Sequence, residues 1–266
     1  MEPIFIERRS IVRAIWGDPD LVLLIFAGAA AEFALNRAVD WLFFTNVLPQ
    51  NPIGRLFSTV RYAQRIIFAS EAQAHDTLAS IAAIHAAVER RRGQRIPDWA
   101  HRAVLYLLID YSERAHRLLH GRLSPAEQES LYAGFLRVGE RLHITQLPET
   151  FAQWRQDRRR CLERDLVYSD YTKRLFEQYR LHLGPWRYQI LLEVQAMLAP
   201  ARVRELLRLE PKRMLMAPCL QVYSLIGHLG LQTPVQRALI PQEYWDELEK
   251  LKPPAGLGAG RHGYLS

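Results

Sequence analysis

The chain has 266 residues, 49% of them hydrophobic, with 35 Lys and Arg against 28 Asp and Glu and a formal charge of +7. That length and apolar content can bury a substantial core, which excludes an intrinsically disordered chain. Two cysteines, Cys161 and Cys219, lie far apart without a C-x-x-C neighbour, which excludes a disulfide framework and a thiolate zinc site and fits a reducing compartment.

In chain order, MEPIFIERRS lacks the apolar core and small-residue cleavage site of a secretory leader, so residues 1–17 read as an N-terminal segment of a cytoplasmic protein. Asp18-Pro19, Asn51-Pro52 and Ser124-Pro125 each set a capping side chain before a proline whose fixed φ suits a first helical turn. Ser70 with Gln73 and Ser124 with Glu127 add capping boxes. With apolar periodicity, these signals predict helices over 19–44, 52–69, 71–92, 98–120, 125–142, 148–164 and 170–183. Period-2 runs and hairpin turns are missing, so the chain is expected to be all-α.

Pro185, Pro200, Pro211, Pro218, Pro234 and Pro241 cut the last third into shorter pieces, with Gly184 and Gly230 as helix stops. A helical domain over 18–251 and a mobile tail over 252–266 follow. The densest positive runs, Arg90 to Arg92 and Arg158 to Arg160, read as solvated helix faces, so no nucleic-acid partner is expected. The basic balance leaves peripheral contact with an anionic membrane open, and the oligomeric state undetermined.

The run Leu21 to Leu35 is apolar except for Glu32 and too short to span a bilayer, so it reads as a core helix. A carboxyl buried there must be paired, protonated or functional, with Arg37, Arg55 or a water as candidate partner. Arg55, Thr59 and Tyr62 recur at i, i+4 and i+7, setting a cation, a hydroxyl and a phenol on one helix face. His85 lies among Ala79, Ala82, Ala83, Ala86 and Ala87. Small side chains let a flat macrocycle approach a helix, and imidazole is the commonest metal ligand, although a lone histidine on an apolar face is more often a hydrogen-bonded core residue.

Two acid-x-x-His spacings, Glu113/His116 and Glu140/His143, resemble those of carboxylate-bridged di-iron bundles, but this composition deals such spacings by chance. If those helices form a hairpin around Ser124, the pairs are offset by about 7 to 8 Å along the axis. No G-x-S-x-G, P-loop or G-x-G-x-x-G occurs, so hydrolase, NTPase and dinucleotide readings lack support.

The order of Asp18-Pro19, the apolar helix with Gly28, NPIGRLFSTVRYAQ, IHAAV, LSPAEQESLYAGFLRVGERL and LPETFAQW resembles the MpaB and latex-clearing-protein family of oxygenases. The resemblance implies an all-α, single-domain multi-helix bundle with a globin-like core and extra helices. It implies a haem b (iron) cofactor, dioxygen and a hydrophobic, isoprenoid-type small-molecule substrate whose C=C bonds are cleaved or oxygenated. By resemblance, His85 is the proximal iron ligand, and the family's R-x-x-x-T pattern falls on Arg55 and Thr59 on the opposite side. Ser58 stands where some relatives carry an iron-ligating lysine, leaving the sixth position vacant or to water. Tyr62 joins the cofactor-contacting face, and Glu32 is assigned as the base that removes an allylic proton, on burial grounds. Ala34-Leu35-Asn36-Arg37 departs from the Ala-His-Pro of many relatives, and a histidine of the next long helix is replaced near Leu105. Two alternatives stay open, a non-catalytic helical protein that binds haem or a lipophile and a non-haem di-iron protein on the same fold.

Overall fold

The computed structural model describes residues 3–45, 50–210 and 232–251. Among them, twelve α-helices and one short 3-10 helix occur, with no strand. In chain order the helices are α1 (Ile11–Trp16), α2 (Pro19–Leu35), α3 (Val39–Phe44), α4 (Pro52–Ile67), α5 (Glu71–Arg92), α6 (Asp98–His120), α7 (Pro125–Arg141), α8 (Phe151–Asp165), α9 (Asp170–Leu198), α10 (Ala201–Leu207), α11 (Gln232–Leu239) and α12 (Trp245–Glu249). The expectations attached to Pro211, Pro218, Gly230 and the tail 252–266 lie outside the described residues.

α2 is apolar on every side, and a helix of that kind belongs in the middle of a bundle. It packs mainly against α6 and α9. Its alanines let α9 come close enough for side-chain donors to reach carbonyls of α2: Gln195 Nε2 to Ala27 O at 3.1 Å and Thr172 Oγ1 to Ala34 O at 2.8 Å. Gly28 allows the same approach from α6, since a Cβ there would stand 2.6 Å from the Tyr111 ring. α1 is fully part of this core, with Ile15 and Trp16 buried and Trp16 Nε1 donating to Ser112 Oγ on α6.

The predicted starts of α2, α4 and α7 are found with their caps: Asp18 accepts from Asp20 N, Asn51 from Gly54 N and Ser124 from Glu127 N. Both predicted capping boxes form. The continuous helix expected over 19–44 breaks at Asn36, whose backbone turns extended (ψ 132°) and whose Oδ1 accepts from Ala38 N. There Asn36 bridges to Leu166 and Arg37 N donates to Asp165 O, so contacts with the end of α8 replace helical bonds. Gly184 stops the first part of α9 with φ 72°, as its position suggested, and Pro185 starts the continuation. No described helix is long and apolar enough to cross a membrane.

The core encloses one dense set of charges. Arg158 on α8 donates through Nη1 and Nη2 to both oxygens of Glu32 at 2.6 Å, and through Nε and Nη2 to Asp110 Oδ2 at 3.0 and 2.9 Å. Arg114 completes the set, donating to Asp110 Oδ1 at 2.7 Å and to Leu198 O at 3.1 Å. Arg158 is 5% exposed and Glu32 2%. Two expectations are corrected here: Glu32 pairs with neither Arg37 nor Arg55, and Arg158 is not on a solvated face although Arg159 and Arg160 are. Burial pushes the Asp110 carboxyl up, but Arg158 and Arg114 outweigh it and hold it below the ordinary carboxylate value.

Removing one partner of a buried pair leaves an uncompensated charge, at a cost of about 3 to 5 kcal/mol. Arg158→Leu is therefore expected to lower stability by roughly 3 kcal/mol or more in urea unfolding at neutral pH. The contribution of Asp110 is present above the unfolded carboxylate pKa and lost as pH falls through the lower folded value, so the wild-type advantage should shrink in acid. A loss below about 1 kcal/mol would mean that the clamp is dispensable.

Candidate functional site

α4 divides its two faces sharply. Ile53, Phe57, Val60 and Ala63 are buried, whereas Arg55, Ser58, Thr59 and Tyr62 are only half-buried. α5 divides along its length instead. Its inward stripe is buried at Ala74 and Leu78, yet at Ile81, His85 and Val88 the same stripe is only half-covered. The second half of α5 thus extends past the packed core, with exposed Ala82, Ala83 and Ile84 beside half-buried Ala86 and Ala87.

On this half of α5, His85 lies close enough to Arg55 of α4 and His101 of α6 for their charges to act on it. The imidazole of His85 lies against that of His101 on α6, with ring centroids 4.8 Å apart and planes tilted by 41°. Burial pushes the His85 pKa down to about 4, and the positive charges of His101 and Arg55 add to the shift while Glu89 opposes it. The His101 pKa is lowered too, chiefly by burial, against the pull of Glu89 and Asp98. At neutral pH both rings are therefore uncharged, the form in which imidazole ligates a metal. No other described residue hydrogen-bonds to either ring. Glu89, one turn after His85, is engaged elsewhere through Oε1, which accepts from Ile96 N at 2.8 Å.

The guanidinium of Arg55 has no carboxylate partner among the described residues, and burial lowers its pKa. Thr59 Oγ1 donates to Arg55 O at 3.1 Å, within its own helix. The side chains of Ser58 and Tyr62 make no hydrogen bond to a described residue. A neutral imidazole beside half-covered Ala86 and Ala87, near a cation with no carboxylate partner among the described residues, forms a donor set that fits a flat, anionic, metal-bearing macrocycle such as haem. Glu32 is not in this group, since both its oxygens belong to Arg158.

An apolar cavity of about 100 Å³ lies on the other side of α4, between α2, α9 and Ile240 and Leu251. Ile53, Leu56, Phe57 and Val60 line it, and none of the polar face of α4 does. The acid/histidine pairs read for two irons do not assemble. Glu113 accepts from Arg155 at 2.6 Å, Gln128 at 3.0 Å and Arg117 at 3.3 Å, and His116 Nδ1 lies 3.0 Å from Gly121 O. Among the described residues no three His, Cys, Asp or Glu side chains converge on a metal-sized point.

Residues 14–226 match the family described as "ER-bound oxygenase mpaB/B'/Rubber oxygenase, catalytic domain". The chain belongs to this oxygenase family. No curated protein and no solved structure gives a match. Leu105, where the resemblance led one to look for a histidine, is buried with Cδ2 close to Gly139 on α7. His101, one turn earlier, is the residue that meets His85, and reading the sequence overlooked it. Its only signal was a helix turn shared with the position searched.

The lowered pKa of His85 has a sign that can be checked. A histidine whose folded pKa lies below its unfolded value opposes folding once pH falls below about 6.5, increasingly down to its folded pKa. A ring-proton NMR titration of the cofactor-free chain should show His85 titrating near 4. A midpoint at 6.5 or above would mean the ring is solvated or acid-paired.

Proposed function

We propose that this oxygenase-family chain is haem b-dependent, with His85 as the iron ligand and a hydrophobic, isoprenoid-class molecule as substrate for oxidative attack on C=C. The observation that carries the reading is the neutral, half-buried imidazole on the incompletely covered half of α5, near an Arg55 that has no carboxylate partner among the described residues. Haem bound there would supply the activation of dioxygen that no side chain provides.

The chain's own groups take the remaining tasks. His85 offers a ring nitrogen that carries no proton at neutral pH. Arg55 would hold an anion, either a propionate of the macrocycle or negative charge developing on the opposite side, and would do so more strongly in a half-dry setting than in water. Thr59 and Tyr62 give that face a hydroxyl and a phenol, and Ser58 is too short to ligate iron as a lysine would. The apolar cavity behind α4 supports a hydrophobic substrate class, because its lining offers almost nothing to hydrogen-bond. Proton removal by Glu32 would require its pair with Arg158 to open, and while that pair is closed Glu32 serves to hold α8 against α2.

The chain purified after expression with a haem precursor should show a Soret band and one haem b per chain in the pyridine haemochrome assay. His85→Ala should lose most of the haem while keeping its helical circular dichroism. Arg55→Ala should reduce turnover more than haem content; equal losses would make Arg55 an anchor for the macrocycle. Haem retained fully in His85→Ala would contradict the ligand assignment, and a chain that takes up a lipophile but never haem would favour a binding protein.

A further inference from the structure

His85 and His101 come from different helices, α5 and α6, yet stand with ring centroids 4.8 Å apart. An imidazole ligates zinc and similar ions at about 2.0 to 2.1 Å, which sets the ring centroid about 3.2 Å from the ion. Two rings sharing one ion at a tetrahedral or right angle then have centroids about 4.5 to 5.2 Å apart, whereas opposed ligands would lie about 6.4 Å apart. The observed spacing falls inside the first range. A 41° tilt is not parallel stacking, and no hydrogen bond joins the rings or ties either to another described residue. None of the four ring nitrogens has a hydrogen-bond partner among the described residues.

We propose that His85 and His101 together form a site for one divalent transition-metal ion, of the borderline class that includes Zn²⁺, Cu²⁺, Ni²⁺ and Co²⁺. Among the described residues no third His, Cys, Asp or Glu joins them, so the remaining positions belong to water or to an incoming ligand, and the site is open rather than structural. Imidazole ligands favour these ions over Mg²⁺ or Ca²⁺, which take oxygen. The neighbouring charge of Glu89 acts on both rings and offsets the cost of bringing a dication beside Arg55. The site stands apart from the haem reading but shares one ligand with it, so an ion and the macrocycle would compete for His85 and free transition metal would oppose haem loading.

The test uses the full chain stripped with chelator and titrated with Zn²⁺ in a calorimeter and with Co²⁺ in the visible spectrum. One ion per chain is expected, with binding weakened roughly tenfold or more in both His85→Ala and His101→Ala. His75→Ala, which alters an exposed histidine of α5, should bind as the wild type does. Circular dichroism and melting of the variants, with His101→Gln as a gentler change, separate lost ligation from lost folding. No ion bound above the background of the double variant would overturn the proposal, as would a loss confined to one of the two histidines. Haem loading separates this proposal from the function above: if haem enters and the ion still binds through both histidines, the ion site stands and the haem ligand lies elsewhere.

Discussion

Arg158 reaches from α8 to carboxylates on two other helices, Glu32 of α2 and Asp110 of α6, and the packing of the bundle is arranged around that clamp. Three charges this deep are tolerable only because each has its partners in direct contact, and removing any one leaves the others without compensation. The consequence reaches the site through α2 and α6. These helices form the packed centre together with one face of α4 and the first half of α5, and the second half of α5 is left incompletely covered. A dense, over-determined middle beside an under-packed rim suits a protein that must hold a cofactor rigidly while keeping space for it.

The rim combines polar groups that lack a protein partner among the described residues. A half-buried guanidinium without a carboxylate and two half-buried imidazoles without a hydrogen bond leave their polar atoms to solvent or to a ligand. Elsewhere several cations are matched, whereas the buried Arg13 has no carboxylate partner among the described residues and lies over the Phe68 ring. Arg92 pairs with Asp40 and lies over Trp41, and Arg137 and Arg141 share Glu71. The side chains of Arg55, His85 and His101, from three helices, have no hydrogen-bond or ion-pair partner among the described residues, and their nearness in an oxygenase-family chain is the physical case for a ligand there.

Much of the fold was legible in the chain itself. Capping side chains before prolines located three helix starts, and α2 could be recognised as central because it is apolar all round. The break at Asn36 was not legible, since apolar residues resume at Val39 and Trp41 to Phe44 with no proline or glycine between, and what ends the helix is a contact with residues 165 and 166. Arg158 was hidden for a related reason: in a run of three arginines, only the tertiary structure says which one turns inward. Of the proposed site residues, His85, Arg55 and Thr59 were named from local composition and from resemblance, whereas His101 belongs to no motif and its nearness to His85 is set by how α5 and α6 pack. Glu32 was read correctly as a carboxyl that burial must account for, and its partner came from a helix more than a hundred residues away.

The central proposal is that a solid core anchored by Arg158 carries a haem site at the incompletely covered outer half of α5, and native-state amide hydrogen exchange tests it most directly. In the cofactor-free chain, amides of α2 and α6 should exchange slowest while residues 81–92 exchange far faster than residues 74–80, and adding haem should slow residues 81–92 selectively. Slow exchange along all of α5 before haem is added, unchanged afterwards, would contradict the account.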